Sequence, residues 1–227
     1  MDATRQQHDG LRSVRVPAGP AMLEGDLGIP EGARGLVLFA HGSGSSRHST
    51  RNRFVAGTLR EGGLATLLID LLTSEEEAAD VRTAHLRFDI GLLAGRLVGA
   101  TDWLANEPET RRLKVGYFGA STGGGAALVA AAERPDLVGA VVSRGGRPDL
   151  AGASLLQVRA PTLLIVGGRD GPVIEMNREA LQQLRCEKRL EIVPGATHLF
   201  EEPGALEVVA GLAERWFRRF LMPSEEA

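Results

Sequence analysis

The chain has 227 residues, 43% of them hydrophobic, and a net charge of −3, which suits one α/β domain whose core needs no disulfide or metal. With 26 basic residues against 29 acidic ones and no strongly basic segment, nucleic-acid binding is not indicated. Cys186 is the only cysteine, so an intrachain disulfide is excluded. The sequence shows neither an apolar signal region at its start nor a run of about 18 apolar residues, so we expect a cytoplasmic protein without membrane contact.

Along the chain, short apolar runs alternate with helical patterns. A weak hairpin is predicted within 13–30, and strands are predicted at 35–42, 64–70, 114–121, 137–146, 160–168 and 188–195. Most of these runs are continuously apolar, which is typical of strands covered on both faces. Apolar positions at three- and four-residue steps predict helices at 51–61, 84–106, 122–133, 174–185 and 203–221.

The alternation of strands and helices predicts the α/β class, with a mostly parallel twisted sheet, helices on both of its faces and an antiparallel hairpin at one edge. We interpret the acidic stretch 73–80 as a solvated loop that leads into the long helix. One domain is expected over 13–221, with tails at 1–12 and 222–227.

The segment GASTG, residues 119–123, lies between a predicted strand and a predicted helix. A serine in G-x-S-x-G at such a turn is exposed at the end of the sheet, and the flanking glycines avoid collisions with the neighbouring strand and helix. The alternatives are a phosphate-binding loop and an ordinary tight turn. The sequence has no G-x-x-x-x-G-K-[ST] pattern, and the glycine spacing here is not G-x-G-x-x-G, so the pattern favours Ser121 as a nucleophile.

A serine nucleophile needs a histidine base that is oriented by an acid, and in a sheet of this kind these follow in the order Ser, Asp or Glu, His. His198 is the only histidine after Ser121, and it follows the last predicted strand. Asp170 directly follows the preceding strand and is the favoured acid. Asp149, one strand earlier, is the competing candidate, although its place after Pro148 indicates a helix N-cap.

Two backbone N–H groups should stabilise an oxyanion next to this serine. One is expected from Thr122, the residue after the nucleophile, and the other from Ser43 in the HGSG loop that follows an early strand. His41, in the same loop, is interpreted as a structural residue that holds the loop. Arg144 and Arg147 lie at the carboxyl end of a predicted strand, close to the expected site, and are candidates for binding a substrate carboxylate, with solubility of the surface as the alternative.

Four segments, AHGSG, GYFGASTGGGAAL, LLIVGGRD and VPGATHLFEEPGAL, together resemble the α/β-hydrolase fold, and within it the dienelactone hydrolase family. The resemblance extends from about residue 13 to residue 221. Dienelactone hydrolases use a cysteine nucleophile, whereas this chain has Ser121 at that point and Cys186 elsewhere. The resemblance therefore implies a serine esterase rather than a hydrolase of dienelactone itself.

The expected function is hydrolysis of small carboxylic esters or lactones through an acyl-enzyme, with no cofactor and no metal. Only residues 147–157 separate two successive predicted strands at the usual place of a lid, so little or no cap is expected and short acyl groups should be preferred. The expected partner is a small-molecule ester, and a homodimer is left open. The alternative function is a catalytically silent binding or receptor module of the same fold.

Overall fold

The computed structural model describes residues 10–222. The strands in this part of the chain are β1 (Leu11–Ala18), β2 (Ala21–Gly28), β3 (Gly35–Ala40), β4 (Ala65–Ile69), β5 (Lys114–Ala120), β6 (Val138–Arg144), β7 (Thr162–Gly167) and β8 (Lys188–Val193). They form one sheet in the order β1-β2-β4-β3-β5-β6-β7-β8. Strands β3 to β8 are parallel to one another, whereas β2 pairs antiparallel with both β1 and β4. The predicted mostly parallel sheet is thus confirmed.

The α-helices of the same region are α1 (Thr50–Glu61), α2 (Ser74–Thr83), α3 (Ile90–Asn106), α4 (Thr122–Glu133), α5 (Gly171–Gln183) and α6 (Ala205–Leu221). Helices α1 and α6 pack on one face of the sheet, and α3 and α4 pack on the other. Successive residues of β3 alternate between the two cores, since Leu36 and Leu38 contact the α3 and α4 side while Val37 and Phe39 contact the α1 and α6 side. This two-sided burial explains why the strand sequences are continuously apolar.

The edge hairpin is formed by β1 and β2, as predicted. Ala18 pairs with Ala21, so Gly19 and Pro20 make the two-residue turn between them. Gly19 has a φ of +63°, a conformation that glycine adopts at little steric cost. Because β2 pairs antiparallel with β4, the hairpin extends the edge of the sheet beside β4.

The interpretation of residues 73–80 as a loop is wrong, because most of this stretch belongs to α2. The Thr73 hydroxyl accepts a hydrogen bond from the Glu76 N–H, and the Glu76 carboxylate accepts one from the Thr73 N–H. This reciprocal pair is a capping box, which satisfies two N–H groups at the start of the helix. Three glutamates in the first turn also interact favourably with the positive end of the helix dipole.

The long helix predicted over 84–106 begins only at Ile90, as α3. Ala84 adopts a left-handed conformation that ends α2, and residues Leu86–Phe88 form a single 3₁₀ turn. The Asp89 side chain then caps α3 by accepting a hydrogen bond from the Leu92 N–H. From Ile90 onwards the predicted apolar stripe is the buried face of the helix.

Between β6 and β7 the chain makes 3₁₀ turns over Pro148–Gln157, interrupted at Gly152. These turns pack against α4 and α5. Over residues 10–222 no cap domain is inserted above the carboxyl ends of the strands, in agreement with the sequence.

Within the same range, no helix combines the length and the apolar character that crossing a bilayer requires. The predicted domain start at residue 13 falls inside β1, and residues 1–9 and 223–227 of the predicted tails lie outside the described residues.

Candidate active site

Ser121 occupies a sharp turn between β5 and α4. Its φ of 50° and ψ of −123° belong to a region that non-glycine residues rarely adopt, and such strain is typical of a nucleophile elbow. The flanking glycines are required by space. A Cβ on Gly119 would lie 2.6 Å from the Gly123 carbonyl oxygen, and a Cβ on Gly123 would collide with the Ala40 carbonyl oxygen of β3.

His198 and Asp170 meet above the carboxyl ends of β7 and β8. The His198 Nδ1 atom lies 2.6 Å from an Asp170 carboxylate oxygen, and the two side chains are 39% and 14% exposed. An ionised carboxylate has no hydrogen to donate and can only accept a hydrogen bond. The Nδ1 atom therefore donates its hydrogen, and Nε2 is left as the basic nitrogen. The arrangement therefore provides an oriented imidazole whose free nitrogen can accept a proton.

Asp149, the competing acid, is engaged elsewhere. Its carboxylate forms two hydrogen bonds with the guanidinium of Arg147, at 2.7 and 2.9 Å. The predicted role of Asp149 as a helix N-cap is wrong, since Arg147 occupies the cap position and Asp149 lies in the first turn of the 3₁₀ segment. Of the two candidate acids, Asp170 is the one that the structure places against His198.

Ser121 and His198 line one cavity of about 250 Å³ at the carboxyl ends of the strands. The loop after β3 contributes Gly42 and Ser43 to its wall. The start of α1 contributes Ser49, Arg51 and Asn52, which the sequence analysis did not single out as site residues. Their position directly after the HGSG loop is the only signal for them in the sequence. We refer to this space as the Ser121 cavity.

The loop after β3 is fixed at two points. The Ser43 N–H donates a hydrogen bond of 2.9 Å to the hydroxyl oxygen of Thr122, the first residue of α4. The His41 ring bridges the Gly42 carbonyl oxygen, 2.9 Å from Nδ1, and the Leu71 N–H, which donates to Nε2 at 3.0 Å. These bonds require a neutral imidazole with its hydrogen on Nδ1. They agree with the prediction that His41 holds this loop.

Burial favours the same neutral form of His41. Removal from water lowers the pKa of this imidazole below its ordinary value, and this effect outweighs the Gly42 hydrogen bond and the charges of Asp70 and Glu77, which raise it. Through the hydrogen bond between Ser43 and Thr122, the two predicted oxyanion donors lie on a loop and a helix that contact each other. The Thr122 N–H belongs to the first turn of α4, where backbone N–H groups have no carbonyl partner within the helix.

Arg144, the last residue of β6, is buried in the wall of the Ser121 cavity with only 8% of its surface exposed. Within the described chain, its Nε and Nη1 atoms have no hydrogen-bond partner. Its guanidinium lies 5.9 Å from the centre of the Phe200 ring. Burial, helped by the positive charge of Arg51, lowers the pKa of Arg144 to about 10, so the group is still a cation at neutral pH.

Arg147 differs from Arg144 in its surroundings. Its guanidinium is paired with Asp149, and the residue is not part of the wall of the Ser121 cavity. Its backbone N–H donates a hydrogen bond of 3.0 Å to the Ser121 carbonyl oxygen, so it supports the elbow through the main chain.

Among residues 10–222, no group of three or more His, Cys, Asp or Glu side chains is arranged to hold a metal ion.

The dienelactone hydrolase family model matches residues 24–222, which is most of the chain. The chain belongs to the dienelactone hydrolase family. A dienelactone hydrolase from Anabaena variabilis is 69% identical in sequence and superimposes with a TM-score of 0.92, over 93% of this chain and 98% of that one. Membership of this family, together with the fold, supports a hydrolase.

Two further relatives concern the length of the chain and its fold. A Mycobacterium tuberculosis protein named putative phosphoribosyl transferase is 62% identical over 204 residues, which are 90% of this chain and 45% of that protein. The chain therefore spans about half the length of the curated relatives that it matches. An α/β serine hydrolase without lid from Xanthomonas campestris is 19% identical with a TM-score of 0.73, over 94% of this chain and 96% of that one, and shows a common fold.

Proposed function

We propose that this dienelactone hydrolase family member cleaves small carboxylic esters or lactones through an acyl-enzyme formed on Ser121. The observation that carries the proposal is the placement of Ser121 on a strained elbow in the same cavity as His198, whose imidazole is held by Asp170. A nucleophile, a base and an acid that orients the base are the groups that acyl transfer to a serine requires. The chemistry calls for no cofactor.

In the first half of the reaction the Ser121 oxygen attacks the ester carbonyl carbon while His198 Nε2 takes the hydroxyl proton. The tetrahedral intermediate then collapses, the bond from carbon to the leaving oxygen breaks, and His198 returns the proton to the departing alcohol. Water repeats the sequence on the acyl-enzyme, which releases the acid and restores Ser121. Asp170 keeps its charge throughout and stabilises the imidazolium of His198.

The oxyanion of each tetrahedral intermediate is assigned to the N–H groups of Thr122 and Ser43. In the free protein the Ser43 N–H already points across to α4, because it donates to the Thr122 hydroxyl. The oxyanion shares the Ser43 hydrogen with that hydroxyl, which keeps the donor in place beside the elbow. A charged acceptor forms the stronger hydrogen bond, so the oxyanion takes the larger share of this hydrogen as the negative charge develops.

Arg144 extends the proposal to the substrate. A buried guanidinium with unpaired N–H groups is costly, and a carboxylate on the substrate can satisfy it. Since Arg144 lines the same cavity as His198, which must protonate the leaving alcohol, the anionic group is assigned to the alcohol side of the ester. Arg147 is not assigned a substrate contact, because Asp149 neutralises it.

Labelling with a fluorophosphonate probe tests the nucleophile. The wild-type protein should be labelled and should hydrolyse p-nitrophenyl acetate, and Ser121→Ala should abolish both. Ser13→Ala is a matched control, because Ser13 is an exposed serine of β1 that does not line the Ser121 cavity. Equal labelling of the wild type and Ser121→Ala would exclude Ser121 as the nucleophile. If the wild type reacts neither with the probe nor with esters, lactones and thioesters, the chain is a silent binding module.

A further inference from the structure

A second cavity adjoins the Ser121 cavity at the loop after β3. It has a volume of about 240 Å³, and Gly42, Ser43 and Ser45 line both spaces. Its other walls come from the end of β4, from α2 and from the start of α3, none of which contributes to the Ser121 cavity. We call it the α2 cavity. The loop that carries the proposed oxyanion donor Ser43 is thus the boundary between two different pockets.

The α2 cavity is lined mainly by apolar surface, with hydroxyl and charged groups among its walls. Four aliphatic side chains line it, those of Leu71, Leu72, Val81 and Leu93. Two of the carboxylates are paired, because the buried Asp80 carboxylate bonds to the Arg87 guanidinium and the Asp70 carboxylate bonds to the Arg47 guanidinium. The carboxylate of Glu77 lies on the exposed surface of α2.

These features select an uncharged aliphatic occupant. An anionic group in this cavity would lie near the carboxylates of its wall, while the positive charge of Arg87 is already neutralised by Asp80. The volume lies slightly below the roughly 300–1,000 Å³ of pockets that hold drug-sized ligands, so the occupant is short.

The two cavities differ in their access to the proton donor of the proposed reaction. His198 lines the Ser121 cavity, and the leaving alcohol must lie next to His198 in order to be protonated. The leaving oxygen, the oxyanion and the acyl substituent occupy different corners of the tetrahedral intermediate. With the leaving oxygen beside His198 and the oxyanion at the Ser43 and Thr122 N–H groups, the acyl substituent needs a space of its own, and the cavity on the other side of the Ser43 loop is the neighbouring one.

We propose that the α2 cavity is the acyl subsite of this hydrolase and takes an uncharged aliphatic acyl group of a few carbons. The proposal rests on the proposed function, in which Ser121 forms the acyl-enzyme. It divides the substrate into two parts, with an anionic alcohol beside Arg144 in the Ser121 cavity and a short alkyl chain in the α2 cavity. The outer wall of this subsite is α2, where Val81 is 72% exposed in the free protein and is covered when the chain enters.

Filling the cavity with a larger side chain tests this assignment. We would compare kcat/KM for p-nitrophenyl acetate, butyrate and hexanoate in the wild type and in Leu72→Trp. The variant should lower the value for hexanoate at least about ten times more than the value for acetate, because one methylene in an apolar pocket is worth roughly 10–200-fold in specificity. Val81→Trp should act in the same direction, and its exposed position makes it safe for folding.

Val208→Trp is the matched control, because Val208 is a half-exposed valine on α6, a helix that does not line either cavity. It should leave the ratio of hexanoate to acetate as in the wild type. A series of acetate esters with alcohols of graded length should respond equally in all variants. The proposal is overturned if the acyl series is unaffected by both tryptophans, or if the alcohol series responds instead.

A binding measurement keeps the subsite testable without turnover. In Ser121→Ala, the uncharged probe hexanamide should shift the backbone amide resonances of residues 71–93, and Val81→Trp should weaken this binding. Saturating hexanamide that leaves these amides unchanged would overturn the subsite even if esters are hydrolysed. Conversely, a wild type that hydrolyses no ester contradicts the proposed function, while the hexanamide titration still tests whether the α2 cavity binds a short alkyl chain.

Discussion

The Ser43 N–H donates a hydrogen bond of 2.9 Å to the Thr122 hydroxyl, across 79 positions of sequence. This contact joins the loop after β3 to the first residue of α4, so the two backbone groups proposed as oxyanion donors are held relative to each other by one side chain. The backbone of the loop also approaches the elbow closely, since a Cβ on Gly42 would lie 3.1 Å from the Ser121 Cβ. Positioning of this kind is what preorganised stabilisation of an oxyanion requires.

Replacing Thr122 by valine should therefore impair catalysis through the loop. The substitution keeps the shape of the side chain but removes the acceptor of the Ser43 N–H, and the loss of one neutral hydrogen bond is worth about 0.5–1.5 kcal/mol. We expect kcat for p-nitrophenyl acetate to fall by roughly 2- to 10-fold, with a smaller change in KM.

Thr122→Ser is the control, since it retains the hydroxyl and should keep most of the activity. A drop in Thr122→Ser as large as that in Thr122→Val would assign the effect to the lost methyl group and not to the hydrogen bond. Unchanged kcat in both variants would show that Ser43 is held by the rest of its loop.

The pairing of His198 with Asp170 separates the two candidate acids. Asp170→Asn should lower kcat by about 10⁴, because an amide at this point favours the wrong imidazole tautomer. Asp149→Asn should leave kcat within a few-fold of the wild type, since Asp149 pairs with Arg147. Steady-state kinetics on p-nitrophenyl acetate decide the matter, and the reverse ranking would reassign the acid.

Arg144 should lower the stability of the free protein and improve the recognition of esters that carry a carboxylate. Arg144→Met removes an unpaired buried cation, so the free energy of unfolding should rise by about 1 kcal/mol or more in urea titrations. The same variant should lower kcat/KM for 4-acetoxybenzoate about 10- to 100-fold relative to phenyl acetate, because a charge-assisted hydrogen bond is lost.

Arg147→Met is the matched control for this prediction. It removes an arginine that pairs with Asp149 near the surface, so the ratio of the two substrates should not change. If Arg144→Met and Arg147→Met alter the ratio equally, the effect is one of overall charge and the specific contact with Arg144 is excluded.

The sequence was most informative where a residue directly follows a strand. Ser121, Asp170 and His198 each follow a parallel strand at the same edge of the sheet, so chain order alone predicts that they come together. The acidic composition of residues 73–80 is typical of a solvated loop, but composition does not reveal local hydrogen bonding. The Thr73 and Glu76 pair, at the spacing of a capping box, contained the signal for α2.

The different environments of Arg144 and Arg147 could not be predicted. Arg144 ends β6, whereas Arg147 follows the turn at Gly145, where φ is +51°, and pairs with Asp149. The burial of Arg144 depends on Phe200 and on the start of α1, which are distant in sequence. Contacts of this type arise from packing between elements, which has no periodic signature in the chain.

His41 should make the stability of the protein depend on pH in the weakly acidic range. Burial lowers the pKa of this imidazole below its ordinary value of 6.5, and both ring nitrogens are engaged in a way that requires the neutral form. Between the folded and the unfolded pKa, the unfolded chain binds more protons at this position. The free energy of unfolding should therefore fall as the pH drops below about 6.5, by at most about 1.4 kcal/mol per pH unit, and this group should have no effect above it.

Urea titrations of the wild type, His41→Gln and His85→Gln between about pH 5 and 7.5 test this prediction. His41→Gln should be less stable than the wild type at neutral pH, because the bridge between Gly42 and Leu71 is disturbed, but its stability should depend less on pH. His85→Gln, at an exposed position, should follow the wild-type curve. If His41→Gln and the wild type lose stability in parallel on acidification, another group is responsible. Because the same ring holds the loop that carries Ser43, esterase activity should decline over the same pH range more steeply in the wild type than in His41→Gln.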